Sequence, residues 1–217
     1  MTHAAYNLAN RFFRFAFGIA LDLRLHGLDN MPAEGSVIIA INHTSFVDPL
    51  LVGAYLPRHV VMMSKIENFK LPFFGFLVTL YGAFPVRRGE IDREAIKTAL
   101  EVLRSGQVLL MAPEGTRSLD GQLQQGRDGL AMIAARTGAL VVPFAIAGAK
   151  PVSKNLKRLR RTPVTVKVGK PFKLESANAK PSREELAAMT DRVMLRLAGL
   201  LPPEQRGVYH GRLSDAE

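Results

Sequence analysis

The sequence predicts an α/β fold, with a mostly parallel central sheet flanked by helices and an amphipathic helix ahead of it. Three observations carry this expectation. Val37-Ile38-Ile39-Ala40-Ile41 and, after Gln107, Val108-Leu109-Leu110-Met111-Ala112 are short apolar runs, the pattern of strands buried on both faces. Helix signals alternate with such runs, which implies parallel strands joined by covering helices. Residues 8–25 place Leu8, Phe12, Phe15 and Ile19 on one helical face and Arg11, Arg14 and Gly18 towards another.

The amino-terminal stretch is interrupted by Arg11, Arg14, Asp22 and Arg24, so it is not an uninterrupted apolar span of about 20 residues. It also lacks the cleavage pattern of a secretory signal. Aromatic side chains beside arginines suit a headgroup boundary, so residues 1–25 are read as a membrane-associating segment; packing on the domain's own core is the competing reading. A turn at residues 28–36 follows, then the strand 37–41, and Pro49 opens a helix behind it. Residues 59–65 read as a second strand that ends in Lys65. Residues 71–84 are the most apolar stretch, read either as plain core or as a dry wall for a fatty chain, and they run into Arg87 and Arg88.

Asp92 caps a helix that buries Ala95, Ile96, Ala99, Leu100 and Leu103 and stops at Gly106. The strand at 107–112 follows, breaking into Pro113-Glu114-Gly115-Thr116-Arg117-Ser118. A helix over 128–136, stopped by Gly138, feeds the strand at 140–146. Residues 164–168 alternate as a half-exposed strand. Ser182 and Glu185 form a capping box for the last helix, which turns Leu186, Met189, Val193 and Leu197 inward. The expected division is therefore 1–25 membrane-associating, 26–200 the main domain, and 201–217 a loose tail.

With 217 residues, 47% of them hydrophobic, the chain can bury one full core. The absence of cysteine excludes disulfides, thiolate metal sites and a cysteine nucleophile. A net charge of +10 favours an anionic partner: nucleic acid, a membrane surface or a phosphorylated substrate. Much of the excess lies between Lys150 and Lys173, which contains no acid; a contact with an anionic partner and a merely solvated basic loop and edge strand are the competing readings. That stretch offers only Phe172 for base stacking and the chain has no nucleic-acid-binding motif, so an anionic lipid surface is the expected partner.

The polar heptad Asn42-His43-Thr44-Ser45-Phe46-Val47-Asp48 sits where a strand's carboxyl end meets a helix start, the rim at which open α/β sheets bind ligands. Asp48 can fold back on His43 and hold one ring nitrogen, leaving the other as a base. The competing reading makes Asp48 a helix cap and His43 a loop residue.

This heptad, then Gly82-Ala83-Phe84-Pro85-Val86-Arg87-Arg88, then Pro113-Glu114-Gly115-Thr116-Arg117-Ser118, then Val142-Pro143-Phe144 resembles the four ordered blocks of the glycerolipid acyltransferase family, in particular 1-acylglycerol-3-phosphate acyltransferases. The resemblance covers about residues 25 to 150 and departs from the family at Arg87, often an acid, and at Ala112, usually aromatic. It implies transfer of an acyl group from acyl-CoA or acyl carrier protein to the hydroxyl of lysophosphatidic acid, without cofactor or metal, at the cytoplasmic face of a membrane as a peripheral or monotopic protein.

On that reading His43 is the general base and Asp48 fixes its tautomer. Lys65, Arg88 and Arg117 hold the acceptor's phosphate, the two arginines by bidentate contacts. Backbone N–H groups around Gly115 face the oxyanion, Thr116 positions the acceptor, and Glu114 orients guanidinium groups or the acceptor hydroxyl, with a salt bridge that merely holds the turn as its competing role. Arg87 is read as a surface arginine. Other classes find less support. No G-x-S-x-G elbow occurs, Arg127-Asp128 replaces the Lys-Ser/Thr of a phosphate loop after Gly121 and Gly126, and the five histidines are scattered. Acyl transfer to another lysophospholipid or to glycerol 3-phosphate, and a non-catalytic lipid or acyl-carrier binding module, are the alternatives.

Overall fold

A computed structural model describes residues 3–89, 91–175 and 181–213. In chain order its elements are α1 (His3–Ala20), β1 (Leu21–His26), β2 (Val37–Ile41), α2 (Asp48–Tyr55), β3 (Val60–Lys65), α3 (Pro72–Leu80), β4 (Phe84–Val86), α4 (Arg93–Arg104), β5 (Val108–Met111), α5 (Gly129–Thr137), β6 (Leu140–Ala147), α6 (Val152–Lys157), β7 (Thr162–Val168) and α7 (Arg183–Leu200). The strands form one seven-stranded sheet in the order β1-β7-β6-β2-β5-β3-β4.

β2 is the middle strand, buried along its whole length. Val37, Ile39 and Ile41 face one core and Ile38 and Ala40 the other, so the period-two alternation demands an apolar residue at every position. The first core is closed by α1 and α2, through Tyr6, Ala9, Phe17, Leu51 and Val52. The second is closed by α4, α5 and α7, through Leu103, Leu130, Ile133, Val193 and Leu197. Helix boundaries follow local chemistry. The Asp92 side chain accepts the Ala95 N–H at 3.1 Å, Ser182 and Glu185 form the expected capping box, and Gly138 ends α5 at φ 64°.

β6, β2, β5, β3 and β4 run parallel, whereas β7 is antiparallel to β6 and β1 is parallel to β7. The carboxyl ends of the parallel strands therefore share one edge, where Asn42, Lys65, Arg87 and Ala112 leave the sheet. The mostly parallel, helix-flanked α/β fold stands as expected.

Three expectations are corrected. Residues 21–25 do not belong to a separate amino-terminal segment. Leu21, Leu23 and Leu25 turn inward in β1, paired in parallel with Thr162, Val164 and Val166 of β7. The basic stretch 150–173 is not a loop with an edge strand, because it contains α6 and because β7 lies between β1 and β6. The tail after residue 200 is not loose over its described part. The Leu123 N–H donates to Gln205 O at 2.9 Å, and Tyr209 is fully buried with its hydroxyl accepting the Gly126 N–H at 3.1 Å. Residues 214–217 lie outside the described residues.

Because Tyr209 fills space beneath α7, Tyr209→Ala is expected to cost about 3–5 kcal/mol in urea unfolding, and Tyr209→Phe only about 1 kcal/mol. A loss below about 1 kcal/mol for the alanine variant would show that the docked tail contributes nothing to stability.

Candidate active site

The β2–α2 turn is folded by its own side chains. Beyond Ile41, the Asn42 amide stands in for a strand peptide: its Nδ2 donates to Ile146 O at 2.9 Å and its Oδ1 accepts the Ile146 N–H at 2.7 Å. Asp48, fully buried in the first turn of α2, curls back over the turn. Its Oδ2 accepts the N–H groups of Thr44 and Ser45, both at 2.7 Å, and lies 3.1 Å from His43 Nδ1. Among the described residues Asp48 Oδ1 has no hydrogen-bond partner. With Nδ1 engaged, the His43 ring is held as the tautomer whose Nε2 carries the free lone pair. The carboxylate is thus a clamp on the imidazole rather than a side-chain helix cap.

His43 is also gripped through its peptide by the loop that follows β5. Its N–H donates to Glu114 Oε1 at 3.0 Å and its carbonyl accepts the Ser118 N–H at 2.8 Å. The second Glu114 oxygen accepts the Gln124 N–H at 2.9 Å. Among the described residues Glu114 therefore neither orients an arginine nor forms a salt bridge. It holds the turn together as a buried acceptor for two amides. Burial is the main reason its carboxyl is lifted to about 7, with the charges of Asp48 and Asp120 adding and the two amides opposing.

His43 opens onto a cavity of about 100 Å³ lined by Phe46, Leu50, Met62, Leu77, Arg88 and Arg117, and onto a neighbouring one of about 160 Å³ that reaches Val86, Ala112 and Gly115. Arg88 leaves the end of β4 and Arg117 belongs to the loop after β5, so sheet topology brings both cations to the histidine. Both guanidinium groups still reach solvent, but partial desolvation, then repulsion from the Arg117 guanidinium, lowers the Arg88 pKa from its ordinary value, with Glu67 opposing. Two close cations in an apolar-walled recess suit an anion with several oxygens.

The remaining expected residues are placed differently. Lys65 stands at the end of β3 but turns to Glu67, Nζ to Oε1 3.2 Å, and does not line the cavities. Thr116 is exposed and lines neither cavity. Gly115 borders the second cavity, yet its N–H is committed to Ala112 O at 3.0 Å and does not face an oxyanion. Its φ of 70° and the Arg127 Cδ, which would sit 2.7 Å from an added Cβ, require glycine here for the turn. Arg87 is exposed, as expected. Sequence reasoning missed the Asn42 bridge and the cavity walls Phe46, Leu50 and Met62. The position of Phe46 between His43 and Asp48 was the available signal.

Glu114 gives this site a pH signature. Its raised pKa means that its contribution to stability is complete below the ordinary value of 4.5 and is lost as pH rises through about 7. Relative to Glu114→Gln, the native chain should therefore lose roughly 3 kcal/mol of stability between pH 4 and pH 8 in urea titrations. Parallel stability curves for the two proteins would show that Glu114 does not titrate in that window.

Comparison with known proteins places the chain among acyltransferases. A family model described as Acyltransferase matches residues 22–147. The 1-acyl-sn-glycerol-3-phosphate acyltransferase of Bacillus subtilis (strain 168) is 30% identical over 197 residues, covering 88% of this chain and 96% of that relative. The chloroplastic 1-acyl-sn-glycerol-3-phosphate acyltransferase LPAT1 of Arabidopsis thaliana is 31% identical over 131 residues, 58% of this chain and 36% of the longer plant protein. Among solved structures, the 1-acyl-sn-glycerophosphate (LPA) acyltransferase PlsC of Thermotoga maritima superimposes with a TM-score of 0.66 at 26% identity, covering 90% of this chain and 79% of that one. With a family model matched over more than half of its length and a 30% identical relative covered almost end to end, the chain belongs to the acyltransferase family.

Proposed function

We propose that this acyltransferase moves a fatty acyl group from acyl-CoA or acyl carrier protein to the free hydroxyl of 1-acylglycerol-3-phosphate, giving phosphatidic acid, at the anionic cytoplasmic face of a membrane. The observation that carries this reading is the shared recess. His43, tied to Asp48 through Nδ1, lines the same cavity as Arg88 and Arg117. The acceptor's phosphate lies on the two guanidinium groups, which brings its hydroxyl to His43 Nε2. As the hydroxyl oxygen attacks the thioester carbonyl, Nε2 takes its proton and Asp48 stabilises the resulting imidazolium. Collapse of the tetrahedral adduct breaks the carbon–sulfur bond, and the imidazolium proton leaves with the thiolate. Attack is direct, with no covalent acyl-enzyme.

An apolar groove of about 700 Å³ between α1 and α3 supports the fatty-substrate part of this reading. Phe12, Phe13, Phe76 and Leu80 line it, and it shares Phe46, Leu50 and Leu77 with the His43 cavity. A chain laid there gains roughly 0.8 kcal/mol for each buried methylene. The outer face of α1 supports the membrane contact. Leu8, Phe12, Phe15 and Ile19 are between 62% and 70% exposed, while Tyr6, Ala9 and Phe17 of the same helix are buried. No helix among the described residues is long and apolar enough to cross a membrane.

His43→Ala should lower kcat by about 10²–10⁴-fold while leaving the circular dichroism spectrum and the unfolding midpoint in place. Thiol release followed with and without lysophosphatidic acid measures it, and near-normal turnover by the variant would overturn the mechanism. Arg88→Ala and Arg117→Ala should each raise the KM for the acceptor by roughly 10–100-fold and move that for the donor far less. Equal losses for both substrates would remove the arginines from the phosphate.

A further inference from the structure

The connection between β6 and β7 carries a feature that its own fold does not require. α6 ends in a Schellman turn, in which the Arg160 N–H donates to Asn155 O at 2.9 Å and the Leu159 N–H to Leu156 O at 3.1 Å. Glycine ordinarily occupies the left-handed position of such a turn because a Cβ crowds the backbone there. Here that position is Leu159, at φ 53° the only non-glycine residue with positive φ among the described residues. The side chain recovers nothing inside the molecule for this strain, since Leu159 is 95% exposed and Leu156 is 54% exposed. Two leucines thus project from a turn that glycine would close more comfortably.

Their surroundings are cationic. Lys154, Lys157, Arg158, Arg160 and Arg161 flank them, and no acid occurs between residues 150 and 173. Arg161 is bolted to the end of α1, donating to the carbonyls of Gly18 at 3.1 Å and of Leu21. Gly18 adjoins Ile19, the last member of the exposed apolar stripe on α1. Arg161 thus ties the basic turn to the carboxyl end of the helix that carries this stripe.

We propose that Leu156 and Leu159 form a second lipid contact, in which Leu159 enters the interface of an anionic bilayer while Lys154, Lys157, Arg158 and Arg160 meet its headgroups. This inference rests on the membrane-surface part of the function proposed above and adds a distinct element to it. An acidic protein surface would answer the charges, but it would leave unexplained a leucine held outward at a left-handed backbone position. Two modest anchors also give the steady attachment that one does not.

The test uses the full chain and flotation with vesicles of phosphatidylcholine, with and without phosphatidylglycerol. Leu159→Gly removes the projection and relieves the backbone, so its Tm should equal or exceed that of the native chain while its partitioning onto phosphatidylglycerol vesicles falls about tenfold. The pair Lys157→Glu and Arg158→Glu should weaken only the phosphatidylglycerol-dependent part, by about fivefold or more per charge. Native-like vesicle binding by Leu159→Gly would overturn the proposal. So would a variant that keeps vesicle binding and loses binding to purified acyl carrier protein, which would make the acidic protein the partner. Binding is read without turnover, so a native chain that binds vesicles but releases no thiol would strike at acyl transfer and leave this contact standing.

Discussion

One buried carboxylate oxygen organises the site. Asp48 Oδ2 gathers two amide N–H groups and an imidazole nitrogen from the preceding five residues, which forces the chain leaving β2 into a tight curl before α2 begins. Hydrogen bonds to a charged acceptor are worth about 1.5–3 kcal/mol each, enough to hold a turn that leaves a polar ring at the end of a wholly apolar strand. The start of α2 contributes the positive end of its dipole at the same point. A longer acid in place of Asp48 would reach past the turn, and an amide would present one acceptor oxygen and one donor to a set of donors.

The sheet supplies the other half of the constraint. β2 and β5 are parallel neighbours in register, so the loops that leave their carboxyl ends have to pass each other. They do so by sharing peptide hydrogen bonds: Glu114 reaches across to the His43 N–H, and the Ser118 N–H returns to the His43 carbonyl. The imidazole is therefore positioned from two strands at once. The same crossing carries Arg117 to the cavity mouth, while β3 and β4, further along the sheet, bring Met62 and Arg88 to its other wall. A parallel sheet concentrates chemistry that is scattered over 75 positions of sequence, from His43 to Arg117.

What could be read from the sequence was what short-range pattern determines. The buried strands, the Asp92 and Ser182 caps, the Gly138 stop and the His43–Asp48 pair all depend on residues within about one turn of each other. The misread features depend on distant partners. Leu21-Asp22-Leu23-Arg24-Leu25 alternates as a strand should, but it directly continues a helix, and its partner β7 begins at Thr162. The inward role of Tyr209 needs the Gly126 N–H, and that of Glu114 needs amides at positions 43 and 124. Lys65 lies at the expected strand end, yet its side chain turns to Glu67, two residues on. Spacing gives the edge on which a side chain lies but not the partner it selects there.

The position of Phe46 joins the chemistry to the apolar part of the molecule. It sits inside the curl that Asp48 imposes, between the histidine and the acid, and its side chain lines both the His43 cavity and the groove between α1 and α3. Folding that turn therefore builds the proton acceptor and one wall of the groove in a single step, so neither can move without the other. α1 completes the groove because it is apolar on two faces: Tyr6, Ala9 and Phe17 are buried in the core that α1 shares with α2, which fixes the helix, while Phe12 lines the groove from outside. A helix with a single apolar stripe could do one of these things. The second stripe, unfavourable in water by about 25 cal/mol for each Å² exposed, is what makes the groove continuous with the surface rather than sealed beneath it.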